Sequence, residues 1–178
     1  MERPIRSRTV FEGRVVRVRV EEVALPSGRT ATREIVEHRG AVAMVPLTPA
    51  GEVLMVRQYR RALDAWLLEL PAGTIEPGED VTECLQRELA EEVGMQAGRI
   101  EHLITFFPSP GFLTERVHVY ACTDLRPHRL AAEEEGLEVV PLPLAEARSR
   151  VDSGEIQDAK SVIGILLVAE GHGRSAPR

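Results

Sequence analysis

The stretch GTIEPGEDVTECLQRELAEEVGM, from Gly73 to Met95, decides the reading of this chain. Ala72 to Asp80 reads as a loop by its Gly and Pro content. Asp80 is the expected N-cap of a helix over Val81 to Val93, and Gly94 stands where a C′ glycine would end it. At about 100° per residue, and taking Val81 as the origin, Leu85 falls near ~40°, Glu88 near ~−20° and Glu92 near ~20°. Glu88 and Glu92 therefore share the stripe that Val81 and Leu85 offer to the core, whereas Glu83, Gln86 and Arg87 point elsewhere. Glu91, three residues after Glu88, can converge with them. Carboxylates on a core-facing stripe repel one another and rise in pKa unless a cation sits between them. Clustered hard oxygen ligands suit Mg²⁺ or Mn²⁺ better than zinc.

Around this helix the chain is rich in strands. Val16, Val18 and Val20 alternate with Arg17, Arg19 and Glu21, the period of a half-buried strand. Pro26-Ser27-Gly28 marks a turn into a second strand over Thr30 to Val36, so the N-terminus reads as a hairpin or meander. Strands are also expected over Ala41 to Leu47, Val53 to Val56, Leu67 to Leu70, Ile100 to Phe107, Arg116 to Cys122 and Leu137 to Leu142. Helices are expected near Leu144 to Val151 and Asp158 to Ala169, and Gly171 to Arg178 reads as a tail. The pattern is α+β.

Composition narrows the function. The 178 residues suit one domain with a small extension, and 43% hydrophobic with 28% charged residues is the balance of a globular protein. Lys+Arg total 22 against 28 Asp+Glu, and the net charge of −6 weighs against a phosphate-reading nucleic-acid binder. Cys84 and Cys122 form no CxxC pair, which suggests a reducing compartment. Met1 to Pro4 lead into charged residues, so no secretory signal is expected, and Ile163 to Ala169, broken by Gly164, is too short to span a bilayer. The expected location is cytoplasmic. A GxxxxGK[ST] loop, a GxGxxG turn and a GxSxG elbow are all missing from the sequence. His38, His102, His118 and His128 show no metal-ligand spacing.

Gly73, Glu79, Arg87, Glu88, Leu89, Glu91, Glu92, Gly94 and Met95 match the Nudix box in every specified position. The chain thus resembles the Nudix hydrolases. That resemblance implies an α/β/α sandwich with a mixed sheet and hydrolysis of a nucleoside diphosphate linked to another group. It implies two or three Mg²⁺ ions, with Mn²⁺ a possible substitute, held by Glu88, Glu91, Glu92 and the backbone carbonyl of Ala72, with Glu69 a further candidate ligand. Gly73, Glu79, Arg87 and Gly94 take structural roles, Arg87 bracing the loop through Glu79 or Glu91.

Further residues resemble the ADP-ribose pyrophosphatase branch. Pro110, in Ser109-Pro110-Gly111, lies fifteen residues beyond Met95. Val56-Arg57-Gln58-Tyr59-Arg60 resembles a strand end whose second arginine meets the substrate, and Glu115 aligns with a glutamate that contacts ribose hydroxyls. Arg57, Arg60, Pro110, Gly111 and Glu115 are therefore candidate substrate contacts. Phe107 and Phe112 are expected in the core. In the acidic run Glu133-Glu134-Glu135, the resemblance makes Glu133 the base and Glu135 a further catalytic, metal-binding group. Residues 1–40 are expected to form a dimerising strand extension and residues 41–178 the hydrolase domain. The expected partners are a nucleotide-sugar substrate and a second copy of the chain, with no nucleic acid and no membrane. Hydrolysis of another nucleotide sugar of the GDP-mannose type, or a non-catalytic ligand sensor, are the alternatives.

Overall fold

A computed structural model describes residues 1–130 and 136–173. The chain divides into two compact units, Met1–Gly40 with Phe106–Arg116, and Ala41–Thr105 with Val117–Arg178.

The first unit is an antiparallel meander of β1 (Arg3–Glu12), β2 (Arg17–Ala24) and β3 (Thr30–Glu37), in that order. β2 and β3 follow the expected hairpin. β1 carries Pro4 and three arginines without a clean period, so pairing with β2 defines it, with register shifts at Pro4/Arg6 and Thr9/Phe11. Val23, on β2, is buried. Ion pairs tie its strands, with Glu37 accepting from Arg17 and ion-paired with Arg19, and Glu2 pairing with Arg33 at 2.5 Å. Residues 106–116 join β3 through Val36 N–H to the Phe112 carbonyl (2.7 Å) and Thr114 N–H to the Val36 carbonyl (2.9 Å). Phe107 and Phe112 are not core residues. They are 50% and 54% exposed, and the Arg116 guanidinium covers the Phe107 ring at 5.5 Å. An apolar residue type alone does not fix burial in a segment held by backbone pairing.

The second unit holds a mixed sheet and an antiparallel one. β4 (Ala41–Pro46) runs parallel to β9 (Val117–Pro127) and antiparallel to β7 (Ala72–Thr74), and β8 (Met95–Phe106) lies beyond β9. β5 (Glu52–Arg60) sits between β10 (Glu138–Pro143) and β6 (Ala65–Glu69). Successive side chains of β4 point to opposite faces. Val42 and Met44 pack in a cluster with Cys84, Leu85, Leu89 and Val93, while Val45 lies under the last helix. A strand covered on both faces reads as a continuous apolar run, and Val42 to Val45 is one.

The α-helices of this unit are α1 (Val81–Glu88), α2 (Leu144–Asp152) and α3 (Ala159–Ala169). Gly164 breaks the apolar run of α3 for a packing reason. A Cβ there would stand 2.7 Å from Leu70 Cδ1 and 3.0 Å from Val45 Cγ2, so the helix approaches the sheet only as glycine permits. Among the described residues no helix is long and apolar enough to cross a membrane. The architecture is the α+β arrangement read from the sequence.

Candidate active site

The loop from Ile75 to Asp80 is closed by its own side chains. Glu76 N–H donates to Glu79 Oε2 (2.9 Å). Asp80 accepts from Thr82 N–H (2.8 Å) while its own N–H donates to Glu83, a capping box that starts α1 at Val81. The helix does not continue as α to Val93. Leu89–Val93 is a π-helical turn, and Gly94, at φ +74°, closes it by donating its N–H to the Leu89 carbonyl. Such turns are rare and gather at functional sites. The Gly94 stop is legible in the sequence, but the extra residue in the turn is not.

That turn sets which way each carboxylate faces. Glu92, 9% exposed, accepts from the Ala72 N–H at 2.9 Å. Glu88 lies over Gly73, where an added Cβ would fall 1.8 Å from its Cδ, so glycine is the residue that leaves room for this carboxylate. Glu91 turns to Arg87 Nη1 at 3.2 Å. Consecutive residues of β7 thus meet the two glutamates expected together, with the third one guanidinium away.

Arg87 is the local counter-charge. Its Nε and Nη2 fork onto Glu79 (2.8 and 3.0 Å), and Nη1 donates to Glu88 (2.7 Å). The Arg87 hydrogen bonds hold the Glu79 carboxyl down to about 2. Burial pushes the Glu88 carboxyl above its usual value, and Arg87 opposes this only in part. A buried carboxylate crowded by like charges calls for more cation than one guanidinium supplies. The donors here are all oxygens, the Glu88, Glu91 and Glu92 carboxylates beside the Ala72 backbone, and they fit a hard divalent cation in type. Among the described residues no three His, Cys, Asp or Glu side chains form a ready metal cage.

These shifts carry an acid-stability signature. Glu79 is held below its usual 4.5, so its contribution is complete above that pH and is lost as pH falls toward about 2. Ionised Glu88 costs stability at neutral pH, a cost relieved as pH falls through its raised value. The urea midpoint is expected to fall steeply below about pH 4.5, and the fall should flatten in Glu79→Gln. Equal slopes for the two proteins would show that the Arg87 fork contributes nothing.

The candidate substrate arginines lie on β5. Arg57 is exposed, stacks over the Trp66 ring at 5.3 Å and stands 3.8 Å from Glu138. Arg60 forks onto Glu69 through Nε (2.8 Å) and Nη2 (2.6 Å). Glu69 is 2% exposed and also accepts from Lys160 Nζ at 2.5 Å. Burial works to raise the Glu69 carboxyl, but the two cations overcome it and hold it below its usual value. The carboxylate expected as an extra metal ligand is therefore engaged by Arg60 and Lys160. Lys160 escapes a reading of the sequence because it lies 91 residues from Glu69 and belongs to no motif.

Ala72, Gly73, Glu79, Arg87, Glu88, Glu91 and Glu92 are gathered at one place, Gly94 ends the turn that carries Glu91 and Glu92, and Arg57 and Arg60 lie in the same unit. Pro110, Gly111 and Glu115 belong to the first unit, where Leu113 N–H donates to the Ser109 carbonyl and Glu115 stands 3.5 Å from His38 Nδ1. Glu133 and Glu135 lie outside the described residues.

The NUDIX domain family matches residues 37–162, and the nucleoside diphosphate sugar hydrolase N-terminal domain matches residues 2–36. A methanol dehydrogenase activator of Bacillus methanolicus is 41% identical over 92% of this chain and 90% of its own. An ADP-ribose pyrophosphatase of Bacillus subtilis is 39% identical over the same shares. The solved structure of an ADP compounds hydrolase superposes with a TM-score of 0.85 at 26% identity, covering 95% of this chain and 92% of that one. With an intact box folded around Gly73 and a family match over most of its length, the chain belongs to the Nudix hydrolases.

Proposed function

We propose that the chain hydrolyses the pyrophosphate of ADP-ribose, with water, to AMP and ribose 5-phosphate. The observation that carries the reading is the set of Glu88, Glu91 and Glu92 around Ala72 and Gly73, a crowded oxygen site of the kind that pyrophosphate chemistry uses. The pyrophosphatase and ADP compounds hydrolase relatives supply the substrate class. Divalent metal is general to the family. We assign Mg²⁺, two or three ions with Mn²⁺ as substitute, to Glu88, Glu91, Glu92 and the Ala72 carbonyl. A divalent cation held by these residues would supply charge neutralisation at the pyrophosphate oxygens and a lowered pKa for the attacking water.

The chain's own residues do the rest. Arg60 faces phosphate oxygens with a forked guanidinium, and Arg57 adds a second positive charge. Glu133 takes the proton from water, help that is typically worth ~10²–10⁴-fold, and Glu135 is a further metal ligand. Arg87 does not touch substrate. It keeps Glu79, Glu88 and Glu91 in register. Glu115 is assigned to the ribose hydroxyls, and Pro110 and Gly111 to substrate contact. The experiment is chromatography of the products from ADP-ribose and Mg²⁺. AMP and ribose 5-phosphate in equal amounts, with EDTA stopping their release, support the reading. Unchanged ADP-ribose refutes it.

We further assign residues 1–40 to a dimerising extension and residues 41–178 to the hydrolase domain. β1 is exposed along its whole length and leaves Ile5, Val10 and Phe11 in solvent. An open ten-residue strand edge with apolar side chains is a pairing surface. Light scattering should give twice the chain mass. A monomer at micromolar concentration would overturn the assignment.

A further inference from the structure

Glu69, Lys160 and Asp158 form a charge chain behind Arg60. Arg60 donates twice to Glu69, Lys160 donates to Glu69 at 2.5 Å and to Asp158 Oδ1 at 2.8 Å, and Asp158 caps α3 by accepting from Ser161 N–H at 3.2 Å. Ser161, fully buried, accepts the Leu70 N–H at 2.6 Å. The N-terminus of α3 is thereby fixed to Glu69, the last residue of β6, and to Leu70, in the link that leads into Ala72 and Gly73. Signs alternate along the chain, and Glu69 is its most buried member: the side chains of Arg60, Glu69, Lys160 and Asp158 are 38%, 2%, 15% and 17% exposed.

A carboxylate this buried needs a cation at all times, because an unpaired charge in the interior is strongly unfavourable. If Arg60 were its sole partner, Glu69 would hold the guanidinium back from any other anion. Lys160 removes that constraint by remaining on Glu69 when Arg60 turns its charge to a phosphate. We propose that Lys160 is a positioning residue for substrate binding, acting through Glu69 to leave the Arg60 guanidinium available to the pyrophosphate. The inference rests on the reading of Arg60 as a substrate contact.

The test is steady-state kinetics on ADP-ribose with saturating Mg²⁺. Lys160→Met is expected to raise KM about tenfold, the worth of one charge-assisted hydrogen bond, with kcat within about twofold of the parent. Lys160→Arg, which keeps a cation on Glu69, should keep the parent KM. Glu69→Gln placed in the Lys160→Met background should bring KM back, because the amide no longer holds the guanidinium. That double variant no longer leaves Glu69 as an unpaired buried charge, so it tests the idea even where Lys160→Met folds poorly, and a Lys160→Met, Asp158→Asn pair controls for the Asp158 carboxylate that both variants strip of its cation. A joint loss of kcat and KM that follows the melting temperature, or a double variant no better than the single one, would overturn the proposal. Arg60→Ala separates the two readings. If it leaves KM unchanged, the Arg60 assignment fails and the proposal with it. If Arg60→Ala raises KM while Lys160→Met does not, the Lys160 inference fails alone.

Discussion

Glu88→Gln is expected to lower kcat on the order of 10³-fold while the protein stays folded. The activity loss follows from what the amide cannot do: it carries no charge and offers one oxygen where the carboxylate offers two. The unchanged fold follows from the surroundings. The substituted side chain has the same shape over Gly73, its carbonyl can still accept from Arg87 Nη1, and burial already works against the ionised carboxylate. The melting temperature should therefore hold or rise slightly. Mg²⁺ titration followed by calorimetry should show weakened binding in the same variant. Near-parental turnover would remove Glu88 from the metal site and with it the assignment of the helix.

Arg87→Gln should do the reverse and strike stability first. The guanidinium stands among Glu79, Glu88 and Glu91 and makes hydrogen bonds to all three. Without it, Glu79 and Glu88, each at most 14% exposed, lose their counter-charge and repel each other. Leaving partly buried carboxylates unpaired costs about 3 kcal/mol, or about 6–12 °C in Tm for a chain of this size. Thermal unfolding with and without Mg²⁺ measures it. A shift below about 1 °C would mean that water screens these charges and that the fork is incidental.

Most of the site is legible in the sequence because the site is local. Glu88, Glu91 and Glu92 lie within one helical turn and a half, and a helical wheel can bring them together. Gly73 and Gly94 answer to steric rules that leave no other residue comfortable, a close approach in one case and φ +74° in the other. The residue pattern reads as one α segment, yet a π turn starts at Leu89, and nothing in the residue types of LAEEV distinguishes the two ladders. β1 is not legible because its stability comes from the partner strand rather than from its own pattern. The Glu69–Lys160 pair is invisible for a related reason: only the docking of α3 brings those residues together. Phe107 and Phe112 show the limit from the other side, since hydrophobicity alone points them to a core that the chain does not give them.

The decisive experiment is ³¹P NMR of the purified protein with Mg²⁺ and an equimolar mixture of ADP-ribose, GDP-mannose and a diadenosine polyphosphate. The expected result is the loss of ADP-ribose ahead of the other two, with resonances of AMP and ribose 5-phosphate rising together. Preferential loss of GDP-mannose would contradict the substrate assignment while leaving the metal helix in place. No turnover of any of the three, with Mg²⁺ or with Mn²⁺, would contradict the enzymatic reading itself.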